Sequence, residues 1–518
     1  MGEKISGAGG IGIMTYIASF DIGTTHVKGI LVNRDGELFH EQNVSLTCRQ
    51  EPPFIEQEPE QWFKAVGTIV SEWFRDGIGA GQIGLVALSG QMQDCIPVNG
   101  QGHAVRPAIL YSDSRAGAEA RMIRDEIGEE EIFRSAANRM DGTLTFPKLL
   151  WLKTHEADNC ARTSRYLISS KDYVIARLTG VFVTDPTSAA TTGCMDIRRR
   201  EWREDWLARM GLPAGKLPDI LPSGETAGRV HAEGSRLTGL AEGTPVLCGI
   251  GDAGAATLGA GVYEPGEVYA YIGTTGWIAG VSGGVADPAA GLFNLAYAEP
   301  GRYINVAPLT NAGNAHQWAA EVFGPEAAGT DGRGIYEAAE RLVEASDRGR
   351  NKILFLPYLN GERCPVQDEG ASGCFIGLRP STTKADMAAA VLEGVAFAMK
   401  QVMELRGAPE GAASLTLIGG GARSRQWCRI LADVFGTEVS VASESQFLPC
   451  LGAAALGFPG LGWESSYDRL CEKIKNRRKC ETFSPDVEKK AHYESKYARY
   501  LELYPALAPV FRQAATEA

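Results

Sequence analysis

The apolar residues near the start of the chain come in short blocks broken by turns. Tyr16-Ile17-Ala18-Ser19-Phe20 runs into Asp21-Ile22-Gly23-Thr24-Thr25, Val27 to Val32 follows, and Asn33-Arg34-Asp35-Gly36 leads to a third run reaching about Val44. Strand-length runs punctuated by Gly, Asn and Asp predict a β-meander. From Trp62 to Phe74 the period lengthens, with Trp62, Val66, Ile69, Val70 and Trp73 on one helical face. Ile83 to Leu88 then predicts a buried strand ending at Ser89-Gly90-Gln91. Strand and helix alternate onward, the pattern of an α/β protein.

The second half repeats the theme. Pro245 to Gly249 predicts a strand, and Ala253 to Leu258 a helix. Val268 to Ile272 and a run from Trp277 predict two strands around Gly273-Thr274-Thr275-Gly276. Ile22-Gly23-Thr24-Thr25 thus recurs letter for letter as Ile272-Gly273-Thr274-Thr275, an offset of 272 − 22 = 250. Both copies sit between strands, which predicts two related α/β domains facing each other. Leu415 to Ile418 predicts a buried strand running into Gly419-Gly420-Gly421-Ala422, a helix from about Ser424 to Phe435 and a strand at Glu438–Val441. A small-residue helix follows from Leu451 to Leu456. The basic run Lys473–Lys479 reads as a solvated helix face. The tail from Pro485 reads as a helix packed back on the second domain.

Composition narrows the partners. With 51 Lys and Arg against 63 Asp and Glu, the 518 residues carry a net charge of −12, a poor basis for binding nucleic acid. No run approaches the ~18 apolar residues of a membrane span. The 11 Cys and 7 His are scattered without ligand or disulfide spacing, which predicts reduced thiols in a cytoplasmic protein and no zinc site. Several short motifs are excluded by context. Gly7–Gly12 fits GxGxxG but precedes the first strand, within a leader expected over residues 1–14. Gly280–Gly284 fits GxSxG but runs into Ala286-Asp287-Pro288 instead of a helix, so a hairpin turn is expected there. No Walker A loop occurs.

The remaining glycines and carboxylates carry chemistry. A Gly-Thr-Thr turn offers backbone N–H groups and two hydroxyls to one point, as an oxyanion requires, although a single copy is also an ordinary hairpin turn. Two copies from opposing halves could clamp a polyphosphate. Asp21 beside the first turn could hold Mg²⁺ or stabilise its own loop. Gly419-Gly420-Gly421 would let a flat nucleotide approach the backbone. Asp252, flanked by Gly249, Gly251 and Gly254, could cap a helix or accept a proton from a substrate hydroxyl attacking a γ-phosphate.

These residues resemble the FGGY family of carbohydrate kinases, within the actin/hexokinase-like superfamily, from about Tyr16 to about Leu456. Asp21–Thr25 looks like its first phosphate motif, Gly273–Gly276 its second and Gly419–Ala422 its adenosine motif. Gly373–Leu378 with Asp386, Met387 and Glu393 matches its C-terminal signature, and Pro147–Trp151 resembles the N-terminal one. Ser89–Met92, Arg106–Leu110, Lys171-Asp172-Tyr173 and Tyr358–Arg363 look most like the xylulokinase branch. The resemblance implies two ribonuclease H-like lobes, 15–249 and 250–518, with a nucleotide and sugar cleft between them. It implies ATP held by Gly23, Thr24, Thr25, Lys28, Gly273, Thr274, Thr275, Gly419, Gly420, Gly421 and Ala422, and Mg²⁺ at Asp21. A sugar would be lined by Met92, Gln93, Asp113 and Asp252, with Asp252 the base, and a homodimer is expected of the family. The chain departs from that branch at Gln93 (usually His), at Ala253 (usually Asn) and at Tyr111-Ser112-Asp113 (usually Trp-Asn-Asp). Kinases for ribulose, gluconate, a deoxy-ketose or a polyol, and a non-catalytic ATP-binding protein, are the alternatives.

Overall fold

The apolar run at Tyr16 becomes β1 (Tyr16–Ile22), which turns at Gly23–Thr25 into β2 (His26–Val32) and then β3 (Leu38–Ser45). In this computed structural model, which describes residues 15–324, 334–407, 414–442, 445–477 and 479–517, the leader and its glycine motif lie outside the described residues. Helix α1 (Glu60–Arg75) buries Trp62, Val66, Ile69, Val70 and Trp73 as the periodicity requires. It precedes β4 (Ile83–Gly90), which pairs in parallel with β1. After α2 (Thr145–His155), α3 (Ser170–Thr179) and the short α4 (Pro186–Ala190), three strands complete the first sheet. These are β5 (Thr226–Arg229), β6 (Pro245–Leu247) and β7 (Ile250–Gly251). Its order is β5-β6-β4-β1-β2-β3, with β7 also beside β4.

Beyond α5 (Asp252–Gly259), the second sheet is built from β8 (Val268–Ile272), β9 (Gly276–Ser282), β10 (Phe293–Ala296) and β11 (Tyr303–Leu309). It is completed by β12 (Ser414–Ile418), β13 (Glu438–Ala442) and β14 (Cys480–Phe483), in the order β10-β11-β9-β8-β12-β13-β14. In each sheet an antiparallel hairpin, β1–β2 or β8–β9, carries a third antiparallel strand on its outer side and a parallel strand on its inner side. The letter-for-letter repeat is therefore the same corner of two ribonuclease H-like sheets. The second hairpin is one residue tighter, because Ile22 pairs with Val27 whereas Ile272 pairs with Gly276.

The segment after β9 corrects one expectation. Gly280–Gly284 does not make a hairpin: β9 pairs with β11, and β10 pairs only with β11. The loop passes over β11 to reach the sheet edge, because β11 already occupies the place beside β9.

Four helices, α6 (Gly313–Phe323), α7 (Ile335–Ala345), α8 (Lys384–Leu405) and α9 (Arg425–Phe435), cover the second sheet. α10 (Leu448–Ala455) instead packs on β1, β2 and β4 of the first sheet and crosses α5. The crossing is close: a Cβ on Gly259 would lie 1.9 Å from the Leu448 carbonyl oxygen, and one on Gly452 1.9 Å from that of Ala255. Helix α11 (Tyr467–Arg477) carries Lys473 and Lys475 of the basic run, which are more than a solvated face. Lys473 donates to the Arg34 carbonyl at 3.0 Å, and Lys475 pairs with Glu267. The last helix, α12 (Lys490–Glu517), packs on α8 and α9 as expected of the tail. Glu393 of the C-terminal signature is fully buried and bound by Lys496 and the Tyr493 hydroxyl of α12, so that part of the signature anchors the tail.

Candidate active site

Both Gly-Thr-Thr turns stand at the ends of the central strands and are shaped by local bonds. Gly23 N–H donates to the His26 carbonyl at 3.0 Å, and Gly273 N–H to that of Thr275 at 2.8 Å. Among the described residues the amides of Thr24, Thr25, Thr274 and Thr275 have no intramolecular acceptor, while Thr25, Thr274 and Thr275 are exposed. Each turn thus presents two free N–H groups, the arrangement that holds a phosphate oxygen. The Thr24 hydroxyl donates to Gln91 Oε1 at 2.5 Å, and buried Gln57 donates to the Thr24 carbonyl at 2.7 Å. In the first turn the backbone is accordingly the freer donor.

The second turn is buttressed by residues that its own sequence does not announce. Gly313 and Asn314, opening α6, donate their amides to the carbonyls of Gly273 and Thr274, both at 2.9 Å. The Tyr271 ring stacks on Trp277 at 3.8 Å and packs so closely that a Cβ on Gly273 would meet it at 2.7 Å. Gly419, with φ of 92°, abuts Ile272 and the same Tyr271 ring, which puts Gly419-Gly420-Gly421 beside the second turn. Ala422 is buried behind them, and Gly420 is exposed.

Asp252 stands at the first position of α5, where Gly251 is the capping residue. Its Oδ1 accepts only from the next amide, Ala253, at 2.7 Å, so the side chain is not spent on capping the helix. The two glycines before it admit no side chains: a Cβ on Gly249 would lie 2.1 Å from the Leu88 carbonyl oxygen, and one on Gly251 2.0 Å from Met92 Sδ. Met92 therefore packs against Gly251, the residue before Asp252. Burial, reinforced by the nearby Asp21 carboxylate, pushes the Asp252 carboxyl up to about 7. Asp21 is itself raised by burial, against the pull of Lys28, its partner across the β1–β2 ladder, and of the Ser89 hydroxyl, which donates to it at 2.9 Å. Lys28 Nζ also donates to the Gln446 carbonyl at 3.0 Å. Tyr271, from the second sheet, is close enough to feel Asp21, Asp252 and Tyr111. The ends of the two sheets thus converge on one point.

Beneath that point lies a charged cluster with no solvent exposure. Lys171 Nζ binds Asp172 at 2.7 Å, Asp185 at 3.0 Å and the Cys248 carbonyl at 3.1 Å. Burial pulls the ammonium down, but the two carboxylates outweigh it and Lys171 stays charged. Ser170 donates to the Ile22 carbonyl at 2.7 Å, so α3 ties the first Gly-Thr-Thr turn to the loop carrying Asp252. We expect Lys171→Met to lower stability by about 3–5 kcal/mol, the cost of stranding buried charge. Denaturant unfolding near pH 7 measures it, and a loss below about 1 kcal/mol would contradict it.

A second buried lysine ties the loop at Gln93 to Leu110. Lys148 Nζ donates to the carbonyls of Gln93 at 3.0 Å and Leu110 at 2.7 Å. Gln93 has φ of 66°, a strained conformation for a residue with a side chain, and its amide donates to the Thr143 hydroxyl at 2.7 Å. Asp94 accepts from the Tyr111 amide at 2.9 Å, leaving Tyr111 46% exposed at the mouth. Asp113, expected among the sugar contacts, is fully buried. Its oxygens accept from the Arg115 guanidinium at 2.6–3.0 Å and from the amides of Ile55 and Arg115 at 2.6 and 3.0 Å. Asp113 is thus fully buried and bonded, while Met92, Gln93 and Asp252 are partly exposed and Tyr111 is exposed.

Comparison with known proteins agrees with this geometry. Residues 16–259 match the model of the FGGY carbohydrate kinase N-terminal domain and 268–460 that of the C-terminal domain. The chain is 30% identical to a xylulose kinase of Escherichia coli over 95% of its own length and 99% of the relative's. It is 27% identical to a gluconokinase of Bacillus subtilis, over 89% and 90%. A crystal structure of xylulose kinase from Rhodospirillum rubrum matches with a TM-score of 0.86 and 28% identity, covering 96% of this chain and all of that one. Two such lobes with these paired turns make a sugar-phosphorylating enzyme. The chain belongs to the FGGY family of carbohydrate kinases.

Proposed function

We propose that this sugar kinase transfers the γ-phosphoryl group of ATP to a hydroxyl of D-xylulose, giving D-xylulose 5-phosphate. The observation that carries the chemistry is the Asp252 carboxylate, poised to titrate near neutrality where the ends of both sheets meet. The 30% identity to xylulose kinases over nearly the whole chain supports the choice of sugar. Asp252 orients the acceptor hydroxyl and takes its proton as that oxygen attacks the γ-phosphorus, and the bond to the β-phosphate oxygen breaks to release ADP. The free amides of Thr24, Thr25, Thr274 and Thr275, with the Thr25, Thr274 and Thr275 hydroxyls, hold phosphate oxygens. Gly419 to Ala422 make room for the nucleoside, and Lys28 balances charge beside Asp21. The donor set fits Mg²⁺: Asp21 and Asp252 are near neighbours, and no cluster of three or more His, Cys, Asp or Glu occurs among the described residues. An ion that keeps much of its water and binds phosphate needs only one or two carboxylates. When bound at Asp21, Mg²⁺ supplies positive charge to the polyphosphate.

A panel of ketoses, aldonates and polyols, read by sugar-dependent ADP release, tests the assignment. D-xylulose should give the highest kcat/KM. Gluconate or ribulose ahead of it would overturn the sugar, and the gluconokinase relative makes gluconate the first alternative. No sugar-dependent release with any acceptor would overturn the activity. Because Lys148 clamps both Gln93 and the Tyr111 loop, we expect Lys148→Met to raise KM for the sugar about tenfold or more while the Kd for ATP without sugar stays within about twofold. Equal losses of sugar and ATP affinity would show a general structural role instead.

A further inference from the structure

His316 is buried beside the nucleotide motifs with no bond to explain it. It lies in the first turn of α6, three residues beyond Gly313, whose amide binds the second phosphate turn. The residue is 8% exposed. Its ring meets Tyr336 of α7 edge-on at 5.3 Å and Trp427 of α9 at 5.2 Å. Trp427 in turn lies against Gly421, where a Cβ would stand 3.3 Å from Cζ3. The imidazole is thus placed between the phosphate turn at Thr274 and the glycines at 419–421, the two features that a nucleotide must span.

Nε2 of His316 is buried and has no hydrogen-bond partner among the described residues. An unpaired buried ring nitrogen is a cost that packing alone does not offset. The nearby polar groups are committed elsewhere: Glu340 accepts from the Ser424 hydroxyl and the Gln426 amide, and Gln317 donates to Glu321. Burial also lowers the imidazole to about 4, so near pH 7 the ring is neutral, with one N–H donor and one acceptor. A neutral donor–acceptor ring suits the edge of a purine better than a phosphate. Tyr336, 46% exposed on the other side of the imidazole, is free to cover a base.

We propose that His316 reads the nucleobase, its unpaired ring nitrogen hydrogen-bonding the edge of an adenine seated against Gly419–Ala422. The proposal rests on the use of ATP read above, and the two can fail separately. Wild-type protein that binds no ATP and forms no ADP with any sugar refutes the kinase reading. His316→Phe tests the inference in protein that is active, since it keeps a ring between Tyr336 and Trp427 and removes both nitrogens. We expect the KM for ATP, and the Kd for ADP measured calorimetrically without sugar, to rise about 5- to 20-fold, as for loss of one buried hydrogen bond. The kcat should stay within about twofold, and the preference for ATP over GTP should shrink by the same factor. His316→Gln, which restores a donor and an acceptor, should recover part of the loss. Unchanged ATP affinity and base preference would overturn the proposal, as would equal losses for ATP and GTP, the mark of a packing role. Should the Phe variant not fold, ¹⁵N spectra of the wild-type imidazole decide: a His316 ring signal unmoved by saturating ADP overturns it, and one that shifts with ADP but not with pyrophosphate supports it.

Discussion

Asp252→Asn should bind ATP as the wild type does and phosphorylate its sugar about 10²–10⁴ times more slowly, the range for loss of a general base. The amide keeps the shape of the side chain and can still accept from Ala253, so the loop that places it need not move. What it lacks is a group that takes the hydroxyl proton. A second signature lies in the pH profile. With the Asp252 carboxyl raised to about 7 by burial and Asp21, kcat/KM of the wild type should fall about tenfold per pH unit below neutrality and level off above it. The residual activity of the variant should lack that limb. Stability must move in the opposite sense. A carboxyl raised in the folded state stabilises the fold fully below its ordinary range, and that contribution is lost as pH rises from about 4 through about 7. Asp252→Asn should therefore melt higher than wild type at pH 8 and no higher at pH 4. A near-wild-type rate, or an unaltered acid limb, would remove Asp252 from the chemistry.

Gly313→Ala should be nearly as damaging without touching a titratable group. A Cβ there would lie 2.0 Å from the Gly273 carbonyl oxygen and 2.9 Å from its carbon. Those atoms are backbone, so neither can rotate away. Helix α6 must retreat by about 1 Å, breaking the bonds from Gly313 and Asn314 to the second phosphate turn. Misplacement on that scale costs about 100-fold in rate, and we expect losses of about tenfold or more in both kcat and ATP affinity. Gly283→Ala is the control, because a Cβ at that position meets nothing within 4 Å. Steady-state kinetics of both variants, with a melting curve to show that each is folded, decide the matter. Wild-type kinetics in Gly313→Ala would mean that the second turn does not hold phosphate through its backbone.

Asp252 announces itself, because a carboxylate among three glycines at a strand end is conspicuous in one dimension. Gly313 does not: Thr310-Asn311-Ala312-Gly313-Asn314 reads like any loop leading to a helix. It matters only because α6 returns to Gly273, forty residues earlier in the chain. Tyr271 was hidden for a similar reason. It is one aromatic in an alternating strand, and its contact with Gly419 needs β12 laid beside β8. Nor can a motif show that Arg115 and the Ile55 amide already bond both oxygens of Asp113.

The sequence by itself determined the strand and helix periods, the duplicated Gly-Thr-Thr corner, the glycine-rich strand ends and the glycine-flanked carboxylate at 252. These depend on residues adjacent in the chain, where hydrophobic spacing and backbone freedom act directly. The tertiary structure alone decided which distant groups share a point in space: Asp21 with Asp252, α6 with the second turn, and Lys148 with Gln93 and Leu110. It also decided charge state. The Asp252 carboxyl titrates near neutrality because folding removes its water and sets a second carboxylate nearby, and both effects depend on through-space distance and burial.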